Sequence, residues 1–202
     1  KNSLAGLDLG GAKAVINLRN AKKTSELLTE FGKVVESLGG KYITADDVGS
    51  ESEDMQIVSK VTKHVVFRNN DPSPATSLGV VRGMQAALTF LRNDFVGNIH
   101  CLKDVHIAIQ GLGHVGFNLA EMLHEKGAKL TVTDLNDDKC NKVGNDLNAQ
   151  IVGLDEIFDV KCDIFAPCAL GGAINKDTVE KLNCDILCGG ANNQLSTSMI
   201  GY

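Results

Sequence analysis

The sequence lacks the features that would place the protein in a membrane, on nucleic acid or around a zinc ion. It holds no apolar stretch of about 18 residues and no secretory leader, so nothing in it predicts a membrane span or export. No run of lysine or arginine occurs, and the net charge of -5 argues against sequence-independent binding of nucleic acid. The 6 cysteines form no C-x-x-C pair and the 5 histidines no H-x-x-x-H pair, so no metal site is predicted. We therefore expect a cytoplasmic protein whose thiols are reduced and mostly buried.

What remains is an ordinary globular composition. The 202 residues include 43% apolar and 22% charged residues, which is enough to bury a real core. The chain begins at Lys1 rather than at methionine, and it stops at Tyr202 soon after a predicted strand. We therefore expect it to be part of a longer protein.

The clearest motif lies in residues 105–136. A short apolar run opens it, three glycines in the spacing G-x-G-x-x-G follow at once, and apolar residues at helical spacing continue to Gly127. This order predicts a buried parallel strand, a tight turn and a helix. Glycine is needed because the turn is sharp, the backbone must approach a pyrophosphate and the helix must pack close to the strand, while N–H groups at the helix start face the phosphates. The residues predicted to bind a dinucleotide here are Gly111, Leu112, Gly113, His114, Val115 and Gly116.

The acid that follows the next predicted strand favours NAD over NADP. Residues 129–133 form that strand, and Asp134 follows it, about 20 residues after the second glycine. A carboxylate there would accept hydrogen bonds from a ribose 2′-OH and would repel a 2′-phosphate. No arginine follows it in residues 135–138. A glycine turn with a merely structural role is the alternative interpretation.

Beyond Gly97 the chain alternates between strands and helical or irregular crossovers. This alternation predicts an α/β fold with a doubly wound parallel Rossmann sheet in the order 3-2-1-4-5, from which a sixth strand is missing. The predicted strands begin at Val105, Lys129, Gln150, Asp163 and Asp185.

The part of the chain before this sheet predicts a smaller mixture of helices and strands. An amphipathic helix should begin near Thr24 and end at Gly39, with an apolar face that covers a sheet. Short strands are predicted at residues 14–18 and 42–44, and a second helix at residues 51–64.

A proline-rich segment at residues 70–74 marks the change of domain, because it holds two of the chain's 3 prolines. The helix predicted over residues 75–92 would connect the domains. We therefore expect one domain at residues 1–74, a connecting helix at 75–97 and a NAD-binding Rossmann domain, incomplete at its C-terminal end, at 98–202.

Five ordered motifs carry a resemblance to a known family. They are LGGAKAVI (residues 9–16), YITADDVGS (42–50), DPSPATSLGV (71–80), CDIFAPCALGG (162–172) and GGANNQL (189–195). On these motifs the chain resembles the amino acid dehydrogenases of the Glu/Leu/Phe/Val group over nearly all of its length, and most closely the leucine dehydrogenase branch.

The resemblance implies a reaction and a set of partners. The reaction is NAD-dependent oxidative deamination of a branched-chain, leucine-like L-amino acid to its 2-oxo acid and ammonium, by a homo-oligomer with no nucleic-acid or membrane partner. Phenylalanine, valine and tryptophan are alternative substrates, and a non-catalytic NAD-binding regulatory module is an alternative of another class. Ala12 stands where a third glycine usually precedes the catalytic lysine. The family's segments that would complete the side-chain pocket are absent, which leaves the preferred side chain and the activity of this chain alone open.

The resemblance assigns roles in the first domain, which it identifies as a partial substrate and catalytic domain. Lys1 matches the lysine that pairs with the substrate carboxylate, and Lys13 the catalytic lysine that activates water. Asp47 matches the acid/base that handles the amino group's proton. Ala45 matches a small residue that leaves room for an aliphatic side chain, and it offers no partner to a glutamate side chain. Paired proton-transfer groups suit a reaction that removes one proton from the amino group and another from the attacking water.

The resemblance also assigns residues to the cofactor and the cleft. Thr76 matches a threonine near the nicotinamide amide. Cys168, Ala169 and Asn192 match segments that line the cofactor, and Asn193 matches a residue of the substrate cleft.

Overall fold

The chain divides into two compact units, Lys1–Pro72 and Ser73–Tyr202. The computed structural model describes residues 2, 4–47, 49–66, 71–92 and 101–201. Residues 93–97, where the predicted connecting helix would end, lie outside these ranges. Within the described ranges, no helix combines the length and the apolar character that crossing a bilayer requires.

The first unit is built on two helices, α1 (Ser25–Ser37) and α2 (Ser52–Val58). Helix α1 begins where the sequence predicts, because the Thr24 side chain accepts a hydrogen bond from Leu27 N at 3.3 Å. Just past its end, Gly39 takes a positive φ of 58°, as expected at a helix terminus. The two helices pack together around a small apolar core. That core consists of Leu28, Met55, Val58 and Val65.

Two predicted strands of the first unit are absent from its described residues. Residues 14–18 form no strand, and within residues 42–44 only Thr44 makes a bridge, to Val65. A strand is stabilised by a ladder of bonds to a neighbour, and a single bridge is too short to form one. The apolar face of α1 therefore packs on α2, and the prediction that it covers a sheet is wrong.

Helix α2 is also shorter than the predicted helix at 51–64, because it ends at Val58. The side chain of Thr62 explains the change of direction. Its hydroxyl donates to the Glu36 carboxylate on α1 at 2.6 Å and accepts from His64 N at 3.1 Å. Such side-chain bonds to nearby backbone compete with continuation of a helix.

The second unit is a parallel α/β sheet. Its strands are β1 (His106–Gln110), β2 (Lys129–Thr133), β3 (Gln150–Ile151), β4 (Ile164–Pro167) and β5 (Ile186–Leu187). Its helices are α3 (Ser73–Leu91), α4 (His114–Glu125) and α5 (Asp137–Leu147), with 3-10 turns at Glu156–Asp159, Val179–Lys181 and Ser198–Gly201. The strands pair in parallel in the order β3-β2-β1-β4-β5, which confirms the predicted order 3-2-1-4-5.

Both faces of this sheet are covered, which explains the apolar runs in β1 and β4. On one face, Ile107 and Ile109 of β1 belong to the core that α3, α4 and α5 complete. On the other face, Ala108 packs near Phe158 and Phe165, whose rings stack with centroids 5.5 Å apart. A sheet buried in this way holds the carboxyl ends of β1 and β4 in fixed positions, side by side.

Helix α3 begins at Ser73, before the predicted start at residue 75. Pro74 is tolerated inside the first turn, because the N–H groups of that turn have no intrahelical acceptor. The helix therefore starts inside residues 70–74, the segment that we interpret from the sequence as the change of domain.

Candidate functional site

The glycine turn joins β1 to α4, and its three glycines have different structural roles. Gly111 takes a φ of 95°, and a Cβ built on it would lie 2.7 Å from Ala169 N. A Cβ on Gly116 would collide with the carbonyl oxygen of Gly111. A Cβ on Gly113, by contrast, would meet nothing within 4 Å. The first and third glycines thus permit close packing of the protein itself, while the second borders open space that a phosphate could approach.

Helix α4 starts directly after this turn and presents its first peptide groups beside that space. Gly113 is its N-cap, and no side chain caps the helix there. His114 and Val115 form the first turn; His114 is exposed and Val115 is half-buried. The N–H groups at the start of a helix carry partial positive charge and bind anions well.

Asp134 follows β2 and braces the glycine turn. One carboxylate oxygen accepts from Leu112 N at 2.5 Å, and the other accepts from Asn136 N at 2.9 Å. An ionised carboxylate offers roughly four lone-pair positions, so two bonds leave capacity for ribose hydroxyl donors. The acid predicted for the ribose therefore lies against the turn, and it also holds that turn in place.

Cys168 and Ala169 lie beside the turn because β4 neighbours β1. Cys168 N donates to the carbonyl of Gln110 at 2.7 Å, and the Cys168 sulfur accepts from Gly190 N at 3.5 Å. Burial raises the pKa of Cys168 to about 11, so this thiol stays neutral near pH 7. The pair therefore forms an uncharged wall next to Gly111.

The predicted asparagines lie on a neighbouring loop. Asn193 O accepts from Gly172 N at 2.8 Å, and a Cβ on Gly171 would lie 2.6 Å from Asn192 O. Ala191 N donates to the carbonyl of Pro167 at 2.9 Å. Both asparagines are exposed at the carboxyl edge of the sheet, on a loop anchored to the end of β4.

Thr76 reaches the same region through α3. It is exposed in the first turn of that helix, and the next residue, Ser77, donates to Val115 O at 2.8 Å. This bond ties the start of α3 to the first turn of α4. Five separate segments thus bring the residues predicted for the cofactor to the carboxyl ends of β1, β2 and β4.

In the first unit, Lys13 and Asp47 form an ion pair between the Lys13 ammonium and one oxygen of the Asp47 carboxylate. Their side chains remain 64% and 48% exposed. Both line a cavity of about 540 Å³, and half-buried Ala45 lines it with them. Much of the remaining wall is apolar, from side chains that include Ile16, Leu18, Leu27, Leu28, Phe31 and Met55. Lys1, the fourth residue assigned to this domain, lies outside the described residues.

The structure distinguishes the two adjacent carboxylates of this loop. Asp47 is exposed and pairs with Lys13. Asp46 is half-buried, and among the described residues no partner bonds to its buried Oδ1 atom. Both carboxylates line the cavity, and Asp47 differs from Asp46 in being exposed and paired with Lys13.

The Asp47 loop is held by three residues that the sequence analysis does not predict: Ser50, Lys23 and Asp54. The Ser50 hydroxyl accepts from Asp47 N at 2.8 Å and donates to Asp47 O at 2.9 Å. Lys23 donates to Gly49 O at 3.2 Å and pairs with the Asp54 carboxylate. The spacing of Asp47 and Ser50 is a local turn signal that could have identified Ser50. Nothing local indicates Lys23, which lies 31 positions before its ion-pair partner Asp54.

The fold and the glycine turn are typical of dinucleotide-binding proteins, and comparison with known families makes the class specific. Residues 1–64 match the Glu/Leu/Phe/Val dehydrogenase dimerisation domain, and residues 138–199 match the Glutamate/Leucine/Phenylalanine/Valine dehydrogenase domain. Together the two matches cover more than half of the chain. The chain belongs to the Glu/Leu/Phe/Val family of amino acid dehydrogenases.

Individual relatives agree with this assignment. The chain is 42% identical over 208 residues to leucine dehydrogenase of Thermoactinomyces intermedius, covering 100% of this chain and 56% of the relative. It is 41% identical over 207 residues to valine dehydrogenase of Streptomyces coelicolor, covering 97% of this chain and 55% of the relative. The crystal structure of L-tryptophan dehydrogenase from Nostoc punctiforme matches with a TM-score of 0.69 at 40% identity, covering 88% of this chain and 50% of that one. The chain therefore spans about half the length of the relatives it matches.

Proposed function

We propose that the full-length protein oxidises a branched-chain aliphatic L-amino acid to its 2-oxo acid and ammonium, with NAD as the hydride acceptor. One observation carries the proposal: Lys13 and Asp47 are paired at a cavity whose walls are largely apolar. A proton-transfer pair beside an apolar pocket fits a substrate with a reactive polar end and an aliphatic side chain.

Lys13 and Asp47 can divide the two proton transfers that the reaction needs. An ammonium group has no lone pair to assist loss of hydride from the adjacent carbon, so a base must first remove a proton; we assign this step to Asp47. Water must then lose a proton as it attacks the imine carbon, and we assign this step to Lys13 in its neutral amine form, after its ammonium group has released a proton to solvent. Because the two side chains are in contact, a proton taken up by one can be passed to the other.

The second unit supplies the groups that would hold NAD. The open space at Gly113 and the first turn of α4 fit a pyrophosphate, and Asp134 has lone pairs left for the ribose. When bound, NAD accepts the hydride that leaves the substrate. The negative charge of Asp134 would repel a 2′-phosphate, so we propose NAD rather than NADP.

The substrate side chain is proposed to be aliphatic and leucine-like. Ala45 is small and offers no charge or hydrogen-bond donor to a side-chain carboxylate, which disfavours glutamate. Known relatives of this chain act on leucine, valine and tryptophan, as their names state. Valine, phenylalanine and tryptophan are therefore the neighbouring candidates.

We also propose that the full-length protein is a homo-oligomer. The family match at residues 1–64 is to a dimerisation domain. In the same part of the chain Leu4 and Val15 are 94% and 83% exposed, and apolar groups of that size are stabilised when a second copy covers them. Analytical ultracentrifugation of the full-length protein would show a mass above that of one chain; a monomer at micromolar concentration would contradict the proposal.

The experiment for the activity follows NADH absorbance in the full-length protein supplied with NAD or NADP and a panel of L-amino acids. We expect turnover with leucine, isoleucine or valine and NAD, and little with glutamate or NADP. Asp134→Ala should weaken the preference for NAD over NADP without abolishing turnover. NAD binding without turnover on any amino acid would contradict the proposal and leave a non-catalytic NAD-binding module.

A further inference from the structure

Cys162 and Cys184 lie side by side at the amino ends of β4 and β5. The register of these strands pairs Ile164 with Ile186, and a bridge pairs Lys161 with Asn183, so Cys162 stands opposite Cys184. Both thiols pack into the same apolar cluster on one face of the sheet. Neighbouring strands are about 4.8 Å apart, within the roughly 4.4 to 6.8 Å between Cα atoms that a disulfide spans.

The two thiols affect each other's protonation. The neighbouring Cys162 thiol lowers the pKa of Cys184 to about 7. The Cys184 thiol, together with burial, raises the pKa of Cys162. A thiol of lowered pKa beside a protonated thiol is an arrangement suited to thiol–disulfide exchange.

A cavity gives small molecules access to the pair. It measures about 410 Å³, and its lining includes both cysteines together with His106, Lys161, Asp163 and Asp185. Cys184 is half-buried, whereas Cys162 is buried. The cavity lies at the amino ends of the strands, at the opposite edge of the sheet from the glycine turn.

We propose that Cys162 and Cys184 are a dithiol modification site, which low-molecular-weight disulfides such as glutathione disulfide oxidise to an intramolecular disulfide. The Cys184 thiolate attacks one sulfur of the reagent, so that a mixed disulfide forms and one glutathione thiolate leaves. Cys162 then loses its proton and attacks the Cys184 sulfur, which releases the second glutathione. In total the protein loses two electrons and two protons, and one glutathione disulfide becomes two glutathione thiols.

Cys140, Cys168 and Cys188 lack the lowered pKa that Cys184 has. Cys140 and Cys188 have pKa values raised chiefly by burial, as Cys168 does, and the bonds described for them join them to backbone groups. They are therefore poor attacking groups near pH 7. Cys101 is exposed, so it serves as the accessible comparison thiol.

The test exposes the reduced full-length protein to glutathione disulfide, blocks the remaining thiols and maps the products by mass spectrometry. We expect the peptides containing Cys162 and Cys184 to be joined with the loss of two hydrogens, and to separate after reduction. Cys162→Ser should instead trap glutathione on Cys184, because the second thiol is missing. Cys184→Ser should give neither product, and Cys101→Ser should leave the crosslink unchanged.

Two results would overturn the proposal. One is a wild-type protein in which Cys184 stays unmodified while Cys101 reacts. The other is a stable glutathione adduct on Cys184 with Cys162 still free. Thermal melting of both serine variants checks that they are folded. If either variant is unfolded, the presence or absence of the crosslink in the wild-type protein decides the question. The result does not depend on dehydrogenase activity, so it stands or falls separately from the proposed function.

Discussion

The glycine turn of the second unit and the Lys13–Asp47 pair of the first are assembled in opposite ways. The turn is one continuous stretch whose glycines suit its conformation, with a positive φ at Gly111, close packing at Gly116 and open space at Gly113, and Asp134 and Ala169 brace it from outside. The ion pair joins residues 34 positions apart and depends on a loop that other side chains hold. A binding site made of backbone groups can be specified locally, whereas a pair of proton-transfer groups must be brought together by the fold.

The largest expected effect concerns the acid of the non-local pair. Asp47→Asn in the full-length protein should lower turnover by roughly 10² to 10⁴-fold, because an amide cannot accept the amino group's proton. NAD binding should stay close to that of the parent, since the residues proposed for it lie in the second unit. Asp46→Asn is the matched control. Equal losses from both substitutions would contradict the distinction between the two carboxylates.

A second prediction tests whether the turn is specified locally. Gly111→Ala should destabilise the protein by about 1 to 3 kcal/mol, because alanine is strained at positive φ and its Cβ would press on Ala169. Gly113→Ala should leave the melting temperature nearly unchanged but weaken NAD binding, because its Cβ projects into open space. Thermal melts and NAD titrations check both variants. Normal NAD binding by the Gly113→Ala protein would contradict the proposal that a phosphate of NAD occupies that space.

The third prediction concerns the support of the Asp47 loop. Lys23→Met should cost about 1 to 2 kcal/mol, more than an exposed pair and less than a fully buried one, because the largely buried Asp54 carboxylate loses its cationic partner and keeps the bond from Glu51 N. Lys33→Met is the control, since the Lys33–Glu30 pair is 59% and 67% exposed and should be worth less than about 0.5 kcal/mol. Denaturant unfolding measures both. Equal effects would mean that Lys23 does not hold the loop.

The smallest expected effect is the pH dependence of Cys184 alkylation in the second unit. Strand register, rather than closeness in the sequence, brings Cys184 to Cys162. Because the pKa of Cys184 lies at about 7, its thiolate is present above that pH and is lost below it. The rate of Cys184 alkylation by iodoacetamide should therefore fall as pH drops through 7. Cys162→Ala removes the neighbouring thiol, so the fall should move to higher pH. An unchanged profile in that variant would contradict the effect of Cys162 on Cys184.

These differences explain how far the sequence could predict the molecule. Strand order in the second unit followed from alternating elements and one glycine motif, because parallel crossovers leave few topologies. The same pattern reasoning failed at residues 14–18, since an apolar run says nothing about whether a partner strand is present. Likewise Lys23 and the pairing of Cys162 with Cys184 depend on contacts and register across the fold, which no local spacing encodes.

The most direct test of the central claim is steady-state oxidation of L-leucine by Lys13→Ala in the full-length protein, measured as NADH formed over many turnovers beside NAD binding by the same sample. We expect NADH formation to fall by roughly 10² to 10⁴-fold with NAD affinity nearly intact, while Lys33→Ala behaves like the parent. A Lys13→Ala enzyme that forms NADH at a near-normal rate would contradict the assignment of the Lys13–Asp47 pair as the catalytic centre.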